Sequence, residues 1–155
     1  MKYEVIGNNY CKIFINNLEI KKVDFHNQDD LQELLKRIIL KLKDKYKLML
    51  KGLYQIIISV NKNIGSIIEI EQIETFLSSS KDIDLNIKVI FDCKFYFRTK
   101  DYSVVKDIKD VYYYKNNYFV DACKLKDVIK YIEFGDLSEV NEEDVDEFGV
   151  KVEKS

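Results

Sequence analysis

The sequence predicts an α+β protein made of two small antiparallel-sheet units, each covered by one or two helices. Short alternating strand patterns, separated by turns rich in Asn and Gly, indicate the sheets, and one long helical pattern lies between the first two strand pairs. The 155 residues include no Pro and five Gly, and 46% of them are hydrophobic. This composition excludes a disordered or collagen-like chain.

The first predicted unit spans residues 1–74 and contains a hairpin, a helix and a second hairpin. Its strands are expected over residues 3–6, 10–15, 53–60 and 67–73. Apolar residues recur at helical spacing from Leu31 to Tyr46, and Asp30 with Glu33 resembles a capping box. One amphipathic helix over one face of an antiparallel sheet forms a complete α+β unit.

Periodicity fades over residues 75–86, which contain Ser78-Ser79-Ser80 and are interpreted as a short linker. The second predicted unit spans residues 87–155. Its expected elements are a strand, a short helix, an aromatic hairpin and another short helix, over residues 87–97, 101–109, 111–120 and 125–132. An acid-rich tail follows.

The sequence favours a soluble, cytoplasmic protein without an active site, cofactor or metal. Its apolar runs are far shorter than a membrane-spanning helix, and the N-terminus lacks the apolar stretch of a signal peptide. Cys11, Cys93 and Cys123 have no metal-site spacing and are interpreted as packing residues. His26, the single histidine, lies in a polar loop, and no phosphate-binding glycine loop occurs. No catalytic residue is therefore predicted.

Charge is uneven along the chain. Residues 36–51 hold seven basic side chains against Asp44 alone, while residues 133–155 hold nine acidic ones against Lys151 and Lys154. The basic helix face is consistent with a phosphate-binding surface or with an ordinary solvated face. The acidic tail is consistent with docking to a basic partner or, again, with solvation.

The aromatic hairpin also has two interpretations. Tyr112-Tyr113-Tyr114 and Tyr118-Phe119 flank the turn residues Lys115-Asn116-Asn117. The rings could form a stacking platform for bases. Alternatively, the strands could bury alternate rings in the core.

Motifs along nearly the whole chain, taken in order, resemble one protein family. These motifs are the opening Met1–Asn9, Gly52–Ile58, Gly65–Ile70, Phe95–Val105, Val111–Val120, Glu133–Gly135 and Val145–Gly149. They are similar to the opening Met-x-x-Glu-x-Ile-x-x-Asn, the two central strands, the aromatic hairpin and the closing Leu-x-Glu-Tyr-Gly of the MecA adaptor proteins of low-GC Gram-positive bacteria.

The resemblance implies a non-enzymatic adaptor in regulated proteolysis. In the MecA family the N-terminal domain captures a substrate, such as the competence regulator ComK or a misfolded protein. The C-terminal domain docks onto the AAA+ unfoldase ClpC and promotes its assembly with the protease ClpP. Family position and charge together suggest unfoldase contacts at Glu133, Asp136, Glu139, Glu142, Glu143 and Glu147, with Phe134 and Phe148 as core anchors, and substrate contacts at Lys41, Lys45 and Lys47.

Two alternatives to the adaptor remain. One is a small nucleic-acid-binding protein that uses the basic helix face over Lys36–Lys51. The overall acidic pI of about 5.6 makes nucleic acid the less favoured partner. The other alternative is an interaction module with a different protein partner.

Overall fold

The computed structural model describes residues 2–6, 10–17, 23–46, 52–74, 83–138 and 149–152. It has the predicted α+β class, with two five-stranded sheets. The chain divides into two compact units, Met1–Val60 with Gly65–Ile90, and Asn61–Ile64 with Phe91–Ser155. Within the described ranges, no helix is both long enough and apolar enough to cross a membrane.

The described part of the first unit contains five strands and one long helix, α1. The strands are β1 (Lys2–Ile6), β2 (Tyr10–Asn16), β3 (Gly52–Asn61), β4 (Gly65–Glu74) and β5 (Ile83–Ile90). They lie in the order β1-β2-β4-β3-β5. The pairs β1–β2 and β2–β4 are antiparallel. Cys11 and Ile13 of β2 lie opposite Ile70 and Ile68 of β4, so these apolar residues share one face of the sheet.

Helix α1 (Gln28–Tyr46) begins three residues before the predicted start. The capping residue is Asn27, not Asp30. The side-chain Oδ1 of Asn27 accepts a hydrogen bond from the Asp29 amide at 3.0 Å, and the backbone carbonyl of Asn27 accepts one from the Leu31 amide at 3.1 Å. Asp29 and Asp30 lie in the first turn, where carboxylates interact favourably with the helix dipole.

The predicted apolar stripe of α1 is confirmed. The members whose side chains are described are all buried, at 8% exposure or less: Leu31, Leu34, Leu35, Ile38, Ile39 and Leu42. All of these except Ile39 belong to one core cluster with the sheet, and the side chain of Tyr46 lies outside the described residues. From the sheet, alternating residues of β2, β3 and β4 complete this core: Cys11, Ile13, Ile15, Tyr54, Ile56, Ile58, Ile68 and Ile70. Burial of this stripe holds the helix, since helix propensity alone contributes little.

The boundary between the units lies later than the sequence predicts. Residues 83–86, assigned to the linker, and residues 87–90, assigned to the second unit, form β5, which pairs with β3 in the first sheet. The pairing is parallel, so this sheet is mixed. Leu85, Ile87 and Val89 pack partly buried against the first core. A parallel neighbour follows a crossover rather than a tight turn, and such pairing leaves no local signature.

Over residues 91–138 and 149–152, the second unit has five short strands and short helices. Its strands are β6 (Tyr96–Thr99), β7 (Tyr112–Tyr114), β8 (Asn117–Asp121), β9 (Asp136–Ser138) and β10 (Val150–Lys151), in the sheet order β10-β7-β8-β6-β9. Helices α2 (Tyr102–Val105) and α3 (Val128–Ile132) are shorter than predicted, and a 3₁₀ turn covers Ala122–Lys124. The segment Asn61–Ile64, which begins at the last residue of β3, belongs to this second unit. Asn61 Nδ2 donates a hydrogen bond to the Cys93 carbonyl at 2.8 Å.

The predicted aromatic hairpin is present as β7–β8. Its turn contains two residues, Lys115 and Asn116, both with positive φ (45° and 62°), the geometry that matches the strand twist. One face of the sheet carries the fully buried Phe97 and Val120, which lie opposite each other. The Tyr131 ring of α3 packs edge-on against Phe97 with 5.7 Å between centroids, so this helix covers that face.

Helix α1 offers a matched pair of leucines for testing this core. We expect Leu35→Ala to lower the free energy of unfolding by about 2–5 kcal/mol, because Leu35 is fully buried. Leu40 is 57% exposed, so Leu40→Ala should change it by less than about 0.5 kcal/mol. Urea unfolding followed by far-UV circular dichroism measures both, and equal effects would contradict the described orientation of α1.

Candidate functional site

The middle of the outer face of α1 carries exposed basic side chains, as the sequence predicts. Lys36, Arg37 and Lys41 are exposed, and so is Leu40, at 57%. Lys36 and Arg37 lie one turn before Leu40, and Asp44 lies one turn after it, so a large apolar side chain is surrounded by charges. We call Lys36, Arg37 and Lys41, together with Leu40 between them, the basic face.

The predicted substrate-contacting lysines are only partly described. Lys41 belongs to the basic face. Lys45 is in α1, but its side chain lies outside the described residues, as does the whole of Lys47.

The predicted unfoldase-contacting acids are also partly described. Glu133 is exposed, directly after α3. Asp136 is engaged within the fold, because its Oδ2 accepts from Arg98 Nη2 at 3.2 Å. Since this pair joins β9 to β6, Asp136 has a structural partner that the sequence does not suggest. The predicted contacts Glu139, Glu142, Glu143 and Glu147 lie outside the described residues, as does Phe148.

Phe134 is not the core anchor that the sequence suggested, since it is 61% exposed. Its backbone is held instead: the amide donates to the Tyr131 carbonyl at 2.9 Å, and the carbonyl accepts from Thr99 Oγ1 at 3.2 Å. The next residue, Gly135, lies so close to β6 that an added Cβ would clash with the Arg98 carbonyl oxygen. The ring of Phe134 therefore sits on the surface on a fixed backbone, beside Glu133.

Three tyrosine rings pack in a row on the second unit. The Tyr118 ring is 5.2 Å from that of Tyr102 and 5.0 Å from that of Tyr113, measured between centroids. Tyr113 is 39% exposed, and its hydroxyl lies 3.1 Å from Asn116 Oδ1. We call Tyr102, Tyr113 and Tyr118 the tyrosine row. Its tilted rings touch one another, so no gap for an inserted base separates them.

The opposite face of the same hairpin carries the other rings. Tyr96 and Phe119 are buried there, with Tyr112 and Tyr114 packed against them. Two lysine ammonium groups lie over this cluster: Lys94 Nζ is 5.2 Å from the Tyr96 centroid, and Lys115 Nζ is 5.1 Å from that of Tyr114. The hairpin thus buries some of its alternate rings and exposes others.

Asp110 forms ion pairs with two lysines from other segments of the chain, Lys124 and Lys151. Its carboxylate oxygens lie 2.8 Å from Lys124 Nζ and 2.7 Å from Lys151 Nζ. The hydrogen bond from Lys124 comes first, and that from Lys151 second, among the causes that lower the pKa of Asp110 to about 2. The same contacts raise the pKa of both lysines. Sequence spacing gave no sign of this cluster, because it joins three separate segments.

The cysteines do not form a metal site within the described residues, where no group of three or more His, Cys, Asp or Glu side chains could hold an ion. Cys11 and Cys93 are buried as predicted, whereas Cys123 is exposed. Partial burial, and then the charge of Asp121, raise the pKa of the Cys123 thiol, which disfavours the reactive thiolate. His26 is exposed in its loop, as predicted.

No protein-family model, curated protein or solved structure matches the chain. The resemblance to the MecA family therefore rests on the sequence motifs. The candidate sites are the basic face on the first unit and, separately, Phe134, the tyrosine row and the Asp110 cluster on the second unit.

The low pKa of Asp110 can be tested directly. We expect Lys124→Met to raise it from about 2 towards the usual range, since the hydrogen bond from Lys124 is its largest cause. A carboxyl-carbon NMR titration of Asp110 measures this shift. The exposed Lys126 provides the control, because Lys126→Met should leave the titration unchanged. An Asp110 that titrates identically in all three proteins would contradict the described geometry.

The sign of the effect on stability follows from the lowered pKa. Deprotonated Asp110 stabilises the second unit fully above its unfolded pKa of about 4, and this contribution is lost as the pH falls from about 4 to about 2. Asp110→Asn should therefore flatten the decline of stability across that window, as measured by urea unfolding at a series of pH values.

Proposed function

We propose that this chain is a protein-binding adaptor of the MecA type, which delivers substrate proteins to a ClpC-type AAA+ unfoldase and its ClpP protease. The observation that carries the proposal is a large exposed apolar side chain beside charges on each of two compact units: Leu40 at 57% and Phe134 at 61% exposure. Exposed apolar anchors with a charged rim are typical of protein–protein contact surfaces.

The basic face suits the substrate-binding role. Its cations favour acidic segments, while Leu40 provides an apolar anchor at its centre. A surface on a long, well-packed helix keeps its geometry without a partner, which lowers the entropic cost of binding. Lys41, with Lys45 and Lys47, is the part of this surface that we assign to substrate.

The exposed ring of Phe134 suits the unfoldase-docking role. It stands beside the exposed carboxylate of Glu133 on a backbone fixed by Tyr131 and Thr99. We assign to the same contact the predicted acids Glu139, Glu142, Glu143 and Glu147. Two modest contacts on one chain raise the effective concentration of substrate at the unfoldase without any catalytic group.

Separate substitutions in the two units test the adaptor. The full-length protein should bind ClpC and stimulate its ATPase. Phe134→Ala should weaken ClpC binding by about 30-fold, as expected for loss of an interface anchor worth about 2 kcal/mol. Leu40→Ala should leave ClpC binding unchanged and weaken substrate capture instead. A wild-type protein that neither binds ClpC nor changes its ATPase rate contradicts the proposal.

The basic face also supports a second candidate, binding to a nucleic-acid backbone. Lys36, Arg37 and Lys41 are exposed on one helix, where they could contact consecutive phosphates. A mobility-shift assay at low salt, with Lys41→Glu, Lys45→Glu and Lys47→Glu combined, distinguishes the two functions. Tight, salt-sensitive binding that is lost in the triple variant would favour nucleic acid over the adaptor.

A further inference from the structure

Within the segment Gly149–Val152, strand β10 (Val150–Lys151) forms one edge of the second sheet. Strand β10 pairs antiparallel with β7, with Val150 opposite Tyr113 and Lys151 opposite Tyr112. Beyond the strand, the Val152 amide donates to the Val111 carbonyl at 2.7 Å. A two-residue strand has few backbone hydrogen bonds with which to hold its place.

The side chains of β10 add little buried surface. Val150 is 67% exposed, and the Lys151 side chain is 60% exposed. The described side-chain contact that fixes β10 is the ion pair between Lys151 Nζ and Asp110 Oδ1, at 2.7 Å. Because exposed ion pairs contribute little, we expect β10 to be displaced at low energetic cost.

Contacts with elements other than β10 fix the positions of the residues along the outer edge of β7. Its far side pairs with β8 through the tight turn at Lys115 and Asn116. Asp110 Oδ2 also forms an ion pair with Lys124 Nζ at 2.8 Å, which does not involve β10. Tyr113 packs against Tyr118, the centre of the tyrosine row. The groups that receive Val150 and Lys151 therefore do not depend on β10 for their positions.

We propose that the outer edge of β7 is a strand-binding site for extended peptides in which an apolar residue is followed by lysine or arginine. Gly149–Val152 is its internal occupant and shows the chemistry that the site selects. A bound peptide adds one strand to the sheet. Its apolar residue lies opposite Tyr113 and extends the tyrosine row, and its cation pairs with Asp110.

Strand β10 regulates peptide binding because it competes with an external peptide for the edge of β7. A segment of the same chain acts at an effective concentration of about millimolar, so an external peptide binds well only when β10 is displaced. This inference is independent of the adaptor function, because it concerns the sheet edge and not the basic face or Phe134.

The test uses the full-length chain and a fluorescein-labelled peptide that copies residues 148–153. Lys151→Glu places a second negative charge beside Asp110 and should displace β10. Val152→Pro displaces it differently, by removing the amide that donates to Val111. Fluorescence anisotropy should show at least tenfold tighter peptide binding to either variant than to the wild type.

Two controls report on the chemistry of the site. Lys130→Glu makes the same charge change on the exposed surface of α3 and should bind the peptide no better than the wild type. A peptide with glutamate in place of its lysine should bind the Lys151→Glu variant at least tenfold more weakly. Hydrogen exchange over residues 149–152 reports whether β10 has left.

Each outcome decides the proposal. Faster exchange with tighter, lysine-dependent peptide binding supports it. Faster exchange without tighter binding, equal binding of the two peptides, or unchanged exchange in both displacing variants overturns it.

Discussion

The packing of α1 on one face of the first sheet is the interaction on which the first unit depends. Leu35 and Ile38 are almost completely buried there, and strands β2, β3 and β4 supply the opposing residues. Because the apolar stripe must face the sheet, Lys36, Arg37 and Lys41 face solvent. The basic face is therefore a direct result of core packing, whichever partner it binds.

The second unit is built differently. Its helices contain four and five residues, too short to carry an extended apolar stripe, so contacts between distant segments position its surface groups. Arg98 with Asp136 joins β6 to β9, and Asp110 joins two lysines from other segments. Exposed ion pairs are weakened by salt, so these contacts should weaken as the ionic strength rises.

Both units present apolar groups in settings that suit protein contacts. Leu40 stands on a rigid helix, Phe134 on a backbone fixed by hydrogen bonds, and Val150 on an edge strand. The last of these is held least firmly. A molecule with this arrangement has one permanent surface on each unit and one edge that is available when its own strand leaves.

The sequence by itself determined the α+β class, the α1 stripe, the aromatic hairpin and the exposed basic face. Each of these follows from spacing within one segment, because 3.6-residue and two-residue periods decide which side chains share a face. The cap at Asn27 was missed because two nearby acids offered an equally plausible start. Among neighbouring candidates for an N-cap, the cap is the residue whose side chain accepts hydrogen bonds from the free amides of the first turn.

Tertiary structure alone decided the parallel pairing of β5, the exposure of Phe134, and the Asp110 cluster. Gly135 lies too close to β6 to carry a Cβ, and the ring of the preceding Phe134 lies outside the core. Lys151 meets Asp110 because β10 pairs with β7 across a long separation in sequence. Such contacts depend on how separate segments meet in space, and no local period of the sequence encodes that meeting.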